Sequence, residues 1–104
     1  MQVPLTPTAV YKRLNKIIWY GRLPEAIFKF VPDATIPECY GITIHDELVV
    51  HPVILLNETQ KNWGNTLVHE AVHVAEPQLR HGVIFDALVE TYWRIAKKKI
   101  KGLR

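Results

Sequence analysis

The chain is short and mildly basic. It has 104 residues, of which 48% are hydrophobic and 22% charged, and a formal net charge of +3, which is the balance of an ordinary folded domain. Residues 1–104 are enough for a single domain with one core and too few for two. No apolar run is long enough to cross a bilayer, and the N-terminus lacks the pattern of a signal peptide. We therefore expect a cytoplasmic protein with no membrane partner.

The predicted secondary structure has the order helix, strands, helix, helix. In chain order the predicted elements are a helix at 7–20, strands at 26–31, 40–45, 48–51 and 53–56, a helix at about 59–76, and a final helix from Val83 to Ile95. Thr6 is the predicted N-cap of the first helix, and Pro77 ends the second. Asp46 and Glu47 predict a tight antiparallel hairpin. The pattern indicates an α+β fold with a three- to four-stranded, mostly antiparallel sheet.

Residues 69–73 form the motif that most constrains function, His69-Glu70-Ala71-Val72-His73. In a helix, residues four apart share a face, so both imidazoles can reach one zinc ion. Glu70 can then accept a proton from a water that the metal has acidified. The apolar residues around the motif are typical of a helix buried on most sides. Two core histidines with ordinary hydrogen-bond partners are the alternative interpretation.

A catalytic zinc usually has three protein ligands, so the motif predicts one more donor downstream. His81 is the first candidate, because Pro77 stops the helix and the chain can turn back, with Gly82 allowing unusual backbone geometry. Glu90 on the last helix is the rival, either as a carboxylate ligand or as a hydrogen-bond acceptor that orients a ligating histidine. Asp86 is a weaker candidate for either role.

Five other distinctive residues are expected to have structural roles. Cys39 has no partner for an internal disulfide and is expected to be a buried, inert thiol in a strand. His45 and His51 flank the predicted hairpin and are expected to have local partners. Trp63 and Trp93 fall on apolar faces and are predicted to anchor the core.

Basic residues are concentrated at the C-terminus. Five of them, Lys97, Lys98, Lys99, Lys101 and Arg104, lie within the last eight residues. They are either the solvated end of a helix, where lysines stabilise the negative end of the helix dipole, or a surface for possible DNA contact.

The chain resembles the SprT-like domain, a family of zincin-type metallopeptidases. The similar stretches are residues 14–24, 40–41, 54–57 and 66–70, together with His81-Gly82-Val83-Ile84-Phe85, which resembles the family's His-Gly-x-x-Phe signature. The resemblance implies a zincin-like fold in which His69, His73 and His81 bind Zn²⁺ and Glu70 is the catalytic base. It also implies a protein or peptide substrate. These 104 residues contain no cysteine-rich zinc ribbon of the kind that often follows the domain, so we expect a compact stand-alone version, such as a phage might encode.

The predicted function is hydrolysis of peptide bonds in a protein substrate by a zinc metallopeptidase. One alternative is a zinc-stabilised module that binds nucleic acid or protein without hydrolysis. Another is an interaction protein that has lost the metal. An exposed sheet edge beside the motif helix would allow an extended peptide to bind as an additional strand.

Overall fold

The computed structural model describes residues 5–45 and 51–104 and has an α+β architecture. Its elements in chain order are α1 (Pro7–Ile18), β1 (Ile27–Val31), a short 3-10 helix (Asp33–Thr35), β2 (Gly41–Ile44), β3 (Val53–Asn57), α2 (Gly64–Ala75) and α3 (Val83–Lys99). Within these residues, none of the helices is long and apolar enough to cross a membrane.

The first helix begins where the sequence predicts and ends two residues earlier. The side chain of Thr6 accepts a hydrogen bond of 3.2 Å from the backbone N–H of Ala9, which confirms the predicted cap. Tyr20 and Gly21 have φ angles of 55° and 78°, in the left-handed region. Helical geometry cannot continue through these two residues, so α1 stops at Ile18.

The sheet is mixed, and the prediction of a mostly antiparallel sheet was wrong. The strand order is β1-β3-β2, with β3 parallel to β1 and antiparallel to β2. The long connection through residues 32–52 allows β3 to return beside β1 in the same direction. Ile54 and Leu56 of β3 are fully buried, as expected for a central strand.

The antiparallel partner of β2 is β3, with Ile44 opposite Val53. The predicted tight turn at Asp46 and Glu47 lies outside the described residues, as does most of the predicted strand at 48–51. His51 is described and lies in a bend.

The motif helix begins at Gly64, five residues later than the predicted start, because the preceding residues make loop hydrogen bonds. The side chain of Asn57 accepts hydrogen bonds from both the backbone N–H and the hydroxyl of Thr59, at 3.0 and 2.7 Å. Gln60 donates to the carbonyl of Tyr40 at 2.9 Å. These bonds replace the first helical turn. The helix ends at Ala75, before Pro77, as predicted.

The main core lies between the three helices. Its buried members come from α1, α2, α3 and the C-terminal segment, and include Tyr11, Leu14, Leu67, Val68, Val72, Phe85 and Ile100. Trp63 and Trp93 are partly buried and pack against this core, which confirms their predicted role. A second cluster joins Ile54 and Leu56 to Val74, so α2 lies between the sheet and the other helices. Both faces of the motif helix are therefore held by packing.

Candidate metal centre

The structure brings three histidines together on the accessible face of α2. His69 and His73 lie one turn apart on this helix, and His81 reaches them from the loop that follows it. The Nε2 atoms of His69 and His73 are 3.2 Å apart, and those of His73 and His81 are 2.8 Å apart. Among the described residues, this is the one cluster of three or more metal-ligand side chains, with ligand atoms within 4.8 Å of one another.

The geometry and chemistry of this cluster fit a zinc ion. Two nitrogen ligands at tetrahedral zinc lie about 3.3 Å apart. The separation of the His69 and His73 Nε2 atoms, 3.2 Å, matches this value, and that of His73 and His81, 2.8 Å, is shorter. Imidazole nitrogen is a common ligand of zinc, and each of the three residues offers one such atom. Desolvation by burial, reinforced by the neighbouring imidazoles, lowers the pKa of His73 to about 4. The pKa of His69 is also lowered, chiefly by burial. Both shifts favour the neutral form that binds metal.

The ring of Phe85 packs beneath the three imidazoles. Its ring centroid lies 4.7 Å from that of His69, 4.5 Å from His73 and 4.9 Å from His81, and the residue is fully buried. Gly82 has φ 159° and ψ −166°, a backbone conformation essentially restricted to glycine, and it leads from His81 into α3. The start of α3 thus supports the rings from below while the preceding loop supplies the third imidazole.

Glu70 lies beside the histidines with its side chain buried. One carboxylate oxygen, Oε1, accepts a hydrogen bond of 2.8 Å from the hydroxyl of Thr43 on β2. The other oxygen, Oε2, is 3.9 Å from Nε2 of His69. Burial raises the pKa of Glu70, and the hydrogen bonds from Thr43 oppose that rise. Thr43 is a site residue that sequence reasoning missed, because it is 27 positions from Glu70 and belongs to no local motif.

The two carboxylates considered as alternative ligands lie outside the cluster. Glu90 is exposed and forms an ion pair of 2.6 Å with Arg94 on the surface of α3. Asp86 is exposed in the first turn of α3. Its negative charge raises the pKa of His69, but burial lowers that pKa by more. The third donor that the structure places with His69 and His73 is therefore His81.

The remaining residues named from the sequence have varied positions. His45 is exposed and lines the cavity around the histidines, whereas Nδ1 of His51 is buried without a hydrogen-bond partner among the described residues. Cys39 is exposed in the loop before β2, so the prediction of a buried thiol in a strand was wrong. The reason is that β2 begins only at Gly41. Cys39 instead lines the cavities beside the candidate site.

Three of the C-terminal lysines, Lys97, Lys98 and Lys99, occupy the last turn of α3, the position where cations stabilise a helix dipole. The side chain of Arg13 donates a hydrogen bond of 3.2 Å to the carbonyl of Lys99. This contact places Arg13 of α1 next to the last turn of α3. Two basic residues from different helices, Arg13 and Lys99, are therefore adjacent.

Fold and site together define an α+β protein with a three-histidine cluster and an adjacent buried carboxylate on a central helix. Scans of the chain against protein-family models, curated proteins and solved structures find no match.

Proposed function

We propose that this protein is a zinc-dependent peptidase with a zincin-like site, in keeping with its resemblance to the SprT-like domain. The observation that carries the proposal is the convergence of three imidazole Nε2 atoms next to the buried carboxylate of Glu70. His69, His73 and His81 would hold the ion, which leaves a fourth position for water or substrate.

Each residue has a defined part in the reaction. When bound, zinc supplies a Lewis acid that polarises the peptide carbonyl and lowers the pKa of a nearby water toward about 7. Glu70 takes a proton from the attacking water as the new carbon–oxygen bond forms. It then delivers the proton to the leaving amine as the carbon–nitrogen bond breaks. Thr43 holds Oε1 of Glu70, so that Oε2 is free on the side of His69.

The sheet offers a way to bind the backbone of extended substrates. Among the described strands, β2 lies at the edge of the sheet, and it runs beside the helix that carries Glu70. An unfolded segment could add to this edge through backbone hydrogen bonds. Substrates are therefore expected to be unstructured or locally unfolded polypeptides.

The decisive variant is Glu70→Gln, which keeps the size of the side chain and removes the base. Cleavage of unfolded casein by the zinc-loaded protein should fall at least about 100-fold, the usual contribution of a general base. Gel or mass-spectrometric detection of fragments over time measures the loss. Bound zinc should be unchanged, because Glu70 is not among the three proposed ligands.

Glu25→Gln is the matched control, because Glu25 is an exposed carboxylate in the connection between α1 and β1. This variant should cleave casein at the wild-type rate. Full activity of Glu70→Gln with wild-type zinc content would refute the proposed role of the base.

A second candidate function is supported by the contact of Arg13 on α1 with the lysine-rich last turn of α3. In this case the zinc serves only folding, and the lysines bind nucleic-acid phosphates. DNA affinity that falls steeply with salt, together with no cleavage of casein, would favour this module over the peptidase.

A further inference from the structure

A cavity beside the candidate site is larger than the proposed hydrolysis step itself requires. It has a volume of about 660 Å³ and lies at the start of α2, next to the cavity of about 490 Å³ that contains the three histidines. Both cavities are lined by Cys39, Gly41, His69 and Glu70. A volume of this order is typical of ligand sites and far exceeds the roughly 30 Å³ of a water molecule.

The two cavities follow one another along a groove between α2 and β2. On α2, the lining passes from residues 65–66 in the larger cavity, through His69-Glu70, to His73 in the smaller one. On the side of β2, it passes in the same direction from Tyr40 to His45. An extended peptide advances about 3.3 Å per residue. A peptide bond at Glu70 therefore places the side chain of a neighbouring residue in the larger cavity.

The polar groups of the larger cavity favour an acidic occupant. Lys61 is the one lysine or arginine among the described residues that line it. The amide of Gln60 is already engaged, since it donates to the carbonyl of Tyr40 at 2.9 Å and accepts from Thr66 at 2.8 Å. Asn65 is exposed at the rim and offers a further amide. The ammonium of Lys61 attracts a carboxylate and repels a cation, and the amide of Asn65 can donate a hydrogen bond to a carboxylate. The carboxylate of Glu70 lines the part that the two cavities share.

We propose that this cavity, here called the Lys61 pocket, selects substrates with a long acidic side chain next to the cleaved bond. The pocket is defined by Tyr40, Gln60, Lys61, Asn62, Asn65 and Thr66. The inference rests on the proposed peptidase function and gives its substrate class.

Charge reversal at Lys61 tests the pocket. Zinc-loaded wild-type protein digests a peptide mixture whose members differ only by Glu, Gln, Ala or Lys at one position, and mass spectrometry gives the preference on each side of the cleaved bond. We expect Glu to be preferred over Lys by about fivefold at one flanking position, the effect of one exposed charge pair. Lys61→Glu should reverse that preference. An unchanged preference in this variant would overturn the proposal.

The matched control is Lys29→Glu, which makes the same charge change on β1, separated from β2 by β3. It should keep the wild-type preference. An equal shift in Lys29→Glu and Lys61→Glu would mean that net charge, rather than the pocket, sets the preference, and would also overturn the proposal.

A size change gives an independent test, because Asn65 is exposed and tolerates substitution without disturbing the core. Asn65→Trp should fill the pocket and lower cleavage of the Glu peptide at least about fivefold relative to the Ala peptide, whereas Asn65→Ala, which removes only the amide, should lower this ratio less. Equal ratios in the two variants would contradict a pocket at this place.

Binding separates failure of the pocket from failure of the peptidase function. Zinc-loaded Glu70→Gln is titrated with fluorescein-labelled Glu and Lys peptides, followed by fluorescence anisotropy. Tighter binding of the Glu peptide, reversed by Lys61→Glu in the same background, supports the pocket even if the wild-type protein cleaves nothing. Equal binding of the two peptides rejects the pocket even if casein is cleaved.

Discussion

At the scale of single residues, the hydroxyl of Thr43 determines which way the carboxylate of Glu70 faces. It donates to Oε1 at 2.8 Å and lies 3.4 Å from the backbone carbonyl of Glu70. A buried carboxylate with one oxygen held in this way has a defined free oxygen, which is what a general base requires. Thr43 is thus expected to be a positioning residue for the proposed reaction.

Thr43→Val keeps the shape of the side chain and removes the hydroxyl. We expect kcat for a cleavable peptide to fall about fivefold with KM nearly unchanged, because one hydrogen bond of about 1 kcal/mol is lost and no substrate contact is removed. Steady-state kinetics measures both constants. Thr43→Ser should recover most of kcat; if it does not, the methyl group rather than the hydroxyl is what matters.

At the scale of elements, Tyr11 links α1 to the connection before β1. Its hydroxyl donates a hydrogen bond of 2.6 Å to the carbonyl of Pro24, and its ring packs edge-on against Phe28 with centroids 5.2 Å apart. The side chain is almost fully buried, and burial raises the pKa of Tyr11 to about 12. The folded protein therefore keeps this phenol protonated where the unfolded chain, with a pKa of 10.0, would lose the proton.

The stability that Tyr11 contributes is fully present below pH 10.0 and is lost as the pH rises towards about 12. Tyr11→Phe should be less stable than the wild type at pH 7 by about 1 kcal/mol, because the Pro24 carbonyl loses its donor. It should also lose less stability than the wild type as the pH rises from 10.0 towards about 12. Urea unfolding at a series of pH values measures both effects. Tyr20→Phe is the control, since Tyr20 is 79% exposed, and it should follow the wild-type pH dependence.

At the scale of the whole molecule, the proposed metal centre joins two parts of the chain that otherwise meet mainly through packing. His69 and His73 belong to α2, while His81 belongs to the loop that leads into α3. A metal bound only in the folded state stabilises that state by mass action. It would therefore hold the α2–α3 connection against local opening.

We expect the wild-type protein to bind one equivalent of Zn²⁺ and to gain about 2.7 kcal/mol of unfolding free energy when free zinc exceeds Kd about 100-fold. His81→Ala should lose most of this gain. Glu90→Ala, which removes only the surface ion pair with Arg94, should retain it. Metal analysis measures the bound zinc, and thermal unfolding with and without a chelator measures the gain in stability. Zinc retained by His81→Ala and lost by Glu90→Ala would reverse the ligand assignment.

Local chemistry made several features predictable from the sequence. The cap at Thr6, the helix end before Pro77 and the shared face of His69 and His73 each depend on residues within about one helical turn. The α+β class follows from the change in hydrophobic period along the chain. The usual three ligands of zinc predicted one more donor, for which His81 was the first candidate and Glu90 the rival, and the structure places the ring of His81 beside the other two.

Other features required the tertiary structure, because they join residues far apart in the chain. The parallel pairing of β1 with β3 depends on the long connection between them, and the contact of Thr43 with Glu70 depends on β2 lying beside α2. The late start of α2 follows from the contact of Gln60 with Tyr40, 20 positions earlier. The sequence alone therefore determined the local elements and the spacing of the histidines. The tertiary structure decided sheet direction and the partner of the carboxylate, since long-range packing leaves no periodic trace in the sequence.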